Sequence, residues 1–331
     1  MAYIKDRKYI NQGKQLVLDS NHDELWAEIK NMNKNKNGKP FTCPQSLIQQ
    51  MVFLRSLFGL GYRQMDGLLT KSIQEEFSIG FVQLWRRISV INVGYDEDDG
   101  VFTFSNSLTG NVEKINVAFD GSGFKGGKGG EWRRIKWNIR LGFIRITLAV
   151  NADDKKIIAM TITDEHTGEL SQFPKLLQKV IDARNKQTRL KQNKKASLKQ
   201  NKKPGTGITA FGDGIYATKQ NVNCCIKNGV KPVLKVMINS SGRSRGCMAR
   251  KKLVDAQLGG GHKYISKLDR NQRLENQKKW LKDNNYGKRQ AAEIAFSTLK
   301  RVYGDAVMAK NWTNMRQEIA LYIQQNHRYG E

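Results

Sequence analysis

Acidic residues are scarce in this chain: 30 Asp and Glu face 57 Lys and Arg, a formal net charge of +27 over 331 residues. A folded protein so positive repels itself, which points to a polyanionic partner. Histidine and cysteine are also few, at four each. Cys43, Cys224, Cys225 and Cys247 lack zinc-finger spacing, two of them being adjacent, so a structural zinc site is not expected. Free thiols in a reducing cytosol are the expectation instead. No apolar run approaches the ~20 residues of a spanning helix, and the opening MAYIKDRKYINQ has no signal-peptide core. Neither membrane insertion nor export is therefore expected. Basic residues recur throughout while apolar content stays ordinary, the pattern of a folded basic protein whose leading partner is nucleic acid, with an anionic membrane surface second.

What the chain does contain falls into two halves. Residues 1–93 read as helical: Ser20–Met32 carries Leu25, Trp26 and Ile29, and Pro44 opens a helix whose Leu47, Met51, Leu54 and Phe58 keep a helical period. Gly59–Gly61 breaks it, Tyr62–Thr70 follows, and Gly80–Val90 has Phe81, Leu84, Trp85 and Ile88 on one face beside Arg86 and Arg87. Short helices around a glycine turn with a basic last helix fit a helix-turn-helix DNA reader, and equally a packing or dimerisation module. Residues 94–113, with Asp96, Glu97, Asp98 and Asp99, read as a solvated acidic linker and lead-in.

From residue 114 to 331 the period changes to α/β. Ile115–Phe119, Ile144–Asn151 and Lys156–Thr163 read as strands, with Asp153-Asp154 turning between the last two. Glu169–Arg184 is an amphipathic helix, Gly207–Gly212 a strand, Ala217–Asn228 a helix and Lys231–Val236 a strand. Residues 185–203 form a lysine-rich loop without acids, and 239–263 an irregular basic insertion. That order predicts a mixed sheet between helices.

Three acids stand out against this background. Asp120 and Asp213 each end a predicted strand and are each followed by glycine, which lets backbone approach a substrate closely. If the two strands are parallel neighbours, the acids sit side by side. Near the C-terminus Tyr286, Arg289, Glu293 and Lys300 are spaced Y-x2-R-x3-E-x6-K, one face of a helix spanning Tyr286–Val302. Such a helix crossing the sheet edge brings Glu293 to the aspartates. Three carboxylates there suit two Mg²⁺ or Mn²⁺ ions that activate water or a 3′-hydroxyl for in-line phosphodiester displacement. The alternative for each part is a turn-capping aspartate or a solvated Arg289–Glu293 pair.

These blocks resemble the DDE transposases of prokaryotic insertion sequences, in the IS-four and IS-five superfamily with the Y-x2-R-x3-E-x6-K signature. The likeness rests on Val117–Gly123, Ala210–Tyr216 and the Tyr286–Lys300 stripe, with Gly130-Glu131-Trp132 and Lys136-Trp137 between them. It implies an RNase H-like catalytic domain preceded by a small helical domain, with Asp120, Asp213 and Glu293 as ligands of two metal ions. It also implies cleavage at transposon terminal inverted repeats and transfer of the freed 3′-OH into target double-stranded DNA. Tyr286, Arg289 and Lys300 would hold backbone phosphates. A homodimer on DNA follows because two ends must be joined; no membrane or small-molecule substrate is implied, and the expected place is the cytoplasm, with the nucleoid. Ala217 departs from the pattern, standing where many relatives carry Asp.

Other basic residues are candidates for DNA contact: Trp132, Arg133, Arg134 and Lys136 after the first acid, Arg243 and Arg245 in the insertion, and Arg86 and Arg87 in the helical part. A solvated hairpin is the alternative for the first group. The competing functions are a catalytically silent DNA-binding regulator and a structure-specific nuclease on the same core. Converging carboxylates repel DNA, which a pure binder has no use for.

Overall fold

In the computed structural model the described residues are 21–72, 77, 79–91, 94–96, 98, 100–104, 114–126, 135, 142–192, 205–243, 246–259 and 270–329. The chain divides into two units: Met1–Val93 with Leu299–Glu331, and Gly94–Thr298. Among the described residues no helix is long and apolar enough to cross a membrane.

The second unit is built on a seven-stranded sheet. Its strands are β1 (Tyr95–Asp96), β2 (Val101–Thr103), β3 (Ile115–Lys125), β4 (Phe143–Asn151), β5 (Ile157–Asp164), β6 (Ile208–Gly212) and β7 (Lys231–Leu234), in the order β1-β2-β5-β4-β3-β6-β7. Strands β3, β4 and β5 form an antiparallel meander, whereas β6 and β7 run parallel to β3. This is the RNase H-like mixed sheet with flanking helices. The apolar runs are near-continuous because both faces are covered: β5 is buried from Ile157 to Ile162.

Helix α5 (Phe173–Gln192) lies on one face with Phe173, Leu176, Leu177, Val180 and Ile181 buried, and Phe173 meets Phe119 of β3 at 4.6 Å between ring centroids. Helix α6 (Lys219–Asn228) starts at a Thr218 side-chain cap and ends on Gly229 at φ 79°, the left-handed conformation glycine adopts without strain. Helices α7 (Met248–Leu258) and α8 (Arg270–Asp283) close the β7 edge through buried glutamines. Gln257 accepts from the Val236 amide at 2.9 Å and donates to the Leu234 carbonyl at 2.7 Å, and Gln277 donates to the Val236 carbonyl at 2.7 Å. These bonds satisfy backbone groups where the ladder stops, which is why β7 ends two residues before the apolar pattern does.

Three expectations change. The acidic lead-in is not a bare linker: β1 and β2 extend the sheet edge, and Asp96 pairs with Lys179 of α5 at 2.6 Å. The supposed loop 185–203 begins as the last turns of α5, where Lys186 is exposed on a helix whose apolar face is buried; residues 193–203 lie outside the described residues. The basic insertion 239–263 contains α7, whose Leu253, Val254 and Leu258 are buried behind a basic run that hides the period.

The helical unit holds α1 (His22–Asn33), α2 (Gln45–Phe58), α3 (Tyr62–Ser72) and α4 (Phe81–Ser89), joined by the end of α9 (Gln290–Tyr303) and by α10 (Trp312–Tyr329). Glu28 of α1 caps α2 by accepting the Gln45 and Ser46 amides at 2.9 and 3.1 Å. Gly59 ends α2 at φ 61° and turns the chain into α3. Helix α10, read from sequence as part of the catalytic half, packs here. Its Glu318 is 4% exposed and pairs with Arg55 of α2 at 3.8 Å.

Candidate active site

Strand β3 positions the first acid. It does not end at Asp120 as the sequence suggests, but continues to Lys125 because β4 keeps pairing with it out to Phe143. What ends near Asp120 is the other neighbour: the parallel ladder with β6 closes at Ala118–Phe211. Carrying that one-to-one register two residues further sets Asp120 opposite Asp213, and paired residues of adjacent strands lie roughly 5 Å apart. Asp213 caps a single 3-10 turn (Gly214–Tyr216), accepting the Ile215 amide at 2.9 Å.

The third segment differs from the continuous helix expected. Asn285 takes φ 52°, Tyr286–Arg289 form a 3-10 turn, and α9 begins only at Gln290. Two bonds fix this turn to the sheet: Tyr286 Oη donates to the Gly212 carbonyl at 3.2 Å, and Lys288 Nζ pairs with Asp153 at 2.7 Å. Arg289 lies 5.9 Å over the Tyr286 ring and hydrogen-bonds Glu293. Glu293 is thus held at the first turn of α9, with its side chain 48% exposed.

Electrostatics ties these pieces together. The Asp120 carboxyl is pushed up to about 6, first by burial, with Asp213 and Glu293 adding to the rise while the Gly121 amide and Arg289 oppose it. Acids near enough to add to the rise of the Asp120 carboxyl lie close around it. Burial, with help from the same three acids, also pushes the Tyr286 hydroxyl up to about 12. The donor set, three hard carboxylate oxygens groups in a partly desolvated corner, fits Mg²⁺ or Mn²⁺. Among the described residues, however, no group of three or more His, Cys, Asp or Glu is gathered closely enough to hold a metal ion. Arg289 hydrogen-bonds Glu293, and Asp213 accepts from the Ile215 amide.

The phosphate-contact candidates separate. Arg289 is at the acids. Tyr286 donates its hydroxyl proton to Gly212 and so fixes the turn. Lys300 is two turns beyond Glu293 on α9, in the part belonging to the helical unit. Arg87 is committed to packing: it donates to the Cys43 carbonyl and to Gln45 Oε1, the latter at 2.7 Å, and lies over the Phe41 ring. Arg86 is exposed beside Trp85, itself 40% exposed. Arg243 is exposed just before α7, whose Arg250 donates to the Ala217 carbonyl at 2.8 Å. Trp132, Arg133, Arg134, Lys136 and Arg245 lie outside the described residues.

Gly121 has a different reason from the one expected. A Cβ there would fall 2.3 Å from Cδ of Glu169, so the glycine makes room for another residue of the same chain. Glu169 begins the turn before α5; an acid at a helix start reads as ordinary dipole complementation, so the sequence gives no sign of this contact.

The family model described as a transposase DDE domain matches residues 113–323, and the chain belongs to that family. A solved structure described as "Drosophila P element transposase strand transfer complex" is similar over 91% of this chain and 70% of that one, with 12% sequence identity and a TM-score of 0.31. No curated protein matches.

Proposed function

We propose that this protein is an insertion-sequence transposase that cuts DNA at the ends of its element and joins the freed 3′-OH to target DNA. The observation that carries the reading is a half-buried Asp120 with Asp213 and Glu293 near enough to act on it, in a chain of net charge +27. A protein that only bound DNA would gain nothing from partly buried acids that repel phosphate. The three acids would hold two divalent ions, Mg²⁺ or Mn²⁺, which when bound supply activation of the attacking oxygen and stabilisation of the leaving one. Arg289 would exchange its Glu293 partner for a phosphate oxygen of the DNA. Tyr286 and Lys288 keep that turn against the sheet while this happens. Terminal inverted repeats would be read in part by the helical unit, where Arg86 and Trp85 are exposed on α4, and two chains would act together on paired ends. Such an enzyme works where the DNA is, in the cytoplasm.

Labelled duplex carrying the element's own ends, incubated with Mg²⁺ or Mn²⁺, tests this. Wild type should release 3′-OH ends, and Glu293→Gln should bind the DNA as tightly without cutting it. Binding by both and cutting by neither, under either metal, would leave the DNA-binding regulator as the function.

A further inference from the structure

We infer that Glu169 is a positioning residue that locks the two aspartate-bearing segments, Asp120-Gly121 and Asp213–Tyr216, into register with each other; the inference rests on the transposase reading above. Side chains alternate along β3, so Gly121 shares with Phe119 the face covered by α5, while Asp120 points to the other. Glu169 occupies the volume that a side chain at Gly121 would need, its carboxylate lying directly on that backbone. From the other strand, Tyr216 Oη donates to Glu169 Oε2 at 3.3 Å. The Tyr216 ring is fully buried and packs 5.7 Å from Phe173, which in turn packs at a tilt against Phe119.

Glu169 is itself held in place. Arg145 of β4 approaches its Oε1 at 3.8 Å and donates to the Thr167 carbonyl at 3.2 Å, and the side chain is only 19% exposed. Asp213 is therefore bracketed by two tyrosines on opposite sides of its turn: Tyr286 holds the carbonyl of the preceding Gly212, and Tyr216 ends the turn on Glu169. Burial, with Glu169 and both aspartates adding, pushes the Tyr216 hydroxyl well above its ordinary value, so it remains a proton donor at any working pH. Being on the α5 face, Glu169 is placed to act through the backbone of the aspartates and not as a further ligand.

A set of full-length variants, Glu169→Ala, Glu169→Gln, Tyr216→Phe, the Glu169→Ala/Tyr216→Phe pair and Glu293→Gln, tests this. The readouts are cleavage kinetics on the element's ends, thermal midpoint, and the Mn²⁺ concentration that gives half the metal-induced thermal shift. Glu169→Ala and Tyr216→Phe should each lower kcat about tenfold or more, as small misplacements of reacting groups do. KM for DNA should stay within about twofold, and the Mn²⁺ half-point should rise severalfold. The double variant should be no slower than the worse single, the signature of one shared interaction. Glu169→Gln fills the same space and accepts the same hydrogen bond, so it should restore most of the rate, whereas Glu293→Gln should not cut.

The inference is overturned if Glu169→Ala cuts like wild type, if the single losses multiply in the pair, or if rate loss merely follows the thermal midpoint. Glu169→Gln being as inert as Glu293→Gln also overturns it, since that marks a ligand. Should Glu169→Ala not fold, Tyr216→Phe, which keeps the ring packing, carries the same kcat and Mn²⁺ criteria. A wild type that neither cuts nor responds to Mn²⁺ removes the transposase reading and this inference with it; a cutting wild type beside an unaffected Glu169→Ala removes the inference alone.

Discussion

Two buried or half-buried acids, one in each unit, are surrounded in opposite ways. Glu318 in the helical unit is encircled by donors: the Met308 and Ala309 amides at 2.8 and 2.9 Å, the Tyr322 hydroxyl, and Arg55. Asp120 in the sheet unit has the Gly121 amide and Arg289 on its side, against desolvation and two further acids. The first arrangement satisfies a charge and so stabilises a helix pair. The second leaves a charge in want of a cation, which costs stability and is retained where the charge has work to do. Burial alone does not distinguish the two arrangements; the sign of the neighbours does.

The comparison sharpens most at Glu318. Glu318→Gln leaves Arg55 buried and unpaired, and should cost about 3–5 kcal/mol, read as a large drop in the denaturation midpoint of the helical unit. Asp213→Asn in the sheet unit should cost no stability of that order. Next, Arg289→Ala removes the cation shared between Glu293 and the acid cluster. It should lower cleavage on the order of 10²-fold while leaving the fold intact, because an electrostatic clamp is lost at the reacting centre.

A smaller effect is the pH dependence of the metal-free protein. The Asp120 carboxyl titrates near 6 when folded against an ordinary 3.8, so between those values the folded chain holds a proton that the unfolded chain has lost. The stability linked to that proton is fully present below about pH 4 and is lost as pH rises through 6. Subtracting the Asp120→Asn curve from that of wild type should isolate this slope; a flat difference would show that the Asp120 carboxyl is not held above its ordinary value. Smallest of all, Lys288→Ala breaks a surface pair whose side chains are 38% and 50% exposed, and should change stability by less than about 1 kcal/mol.

Much of the sheet was legible because its strands carry near-continuous apolar runs that stop at chemically meaningful residues. Val117-Ala118-Phe119 leading into Asp120, and Ala210-Phe211-Gly212 leading into Asp213, are visible in the sequence and become parallel neighbours. What could not be read depends on long-range pairing. The two- and three-residue strands β1 and β2 are too short to show a period, and the apolar period of α7 is masked by the Arg250-Lys251-Lys252 run just before its buried Leu253 and Val254. The Tyr286–Arg289 stretch has helical spacing but becomes a tighter turn because Tyr286 is drawn to the Gly212 carbonyl. Glu169 was invisible for the same reason, since its partners Gly121 and Tyr216 lie 48 and 47 positions away in sequence.

The most direct measurement is Asp120→Asn, followed in one preparation for both DNA cleavage and thermal midpoint without added metal at neutral pH. The account predicts that cleavage disappears while the midpoint rises by a few degrees, because a desolvated charge among like charges has been removed. Retained cleavage with a lowered midpoint, the behaviour of an acid like Glu318, would contradict it.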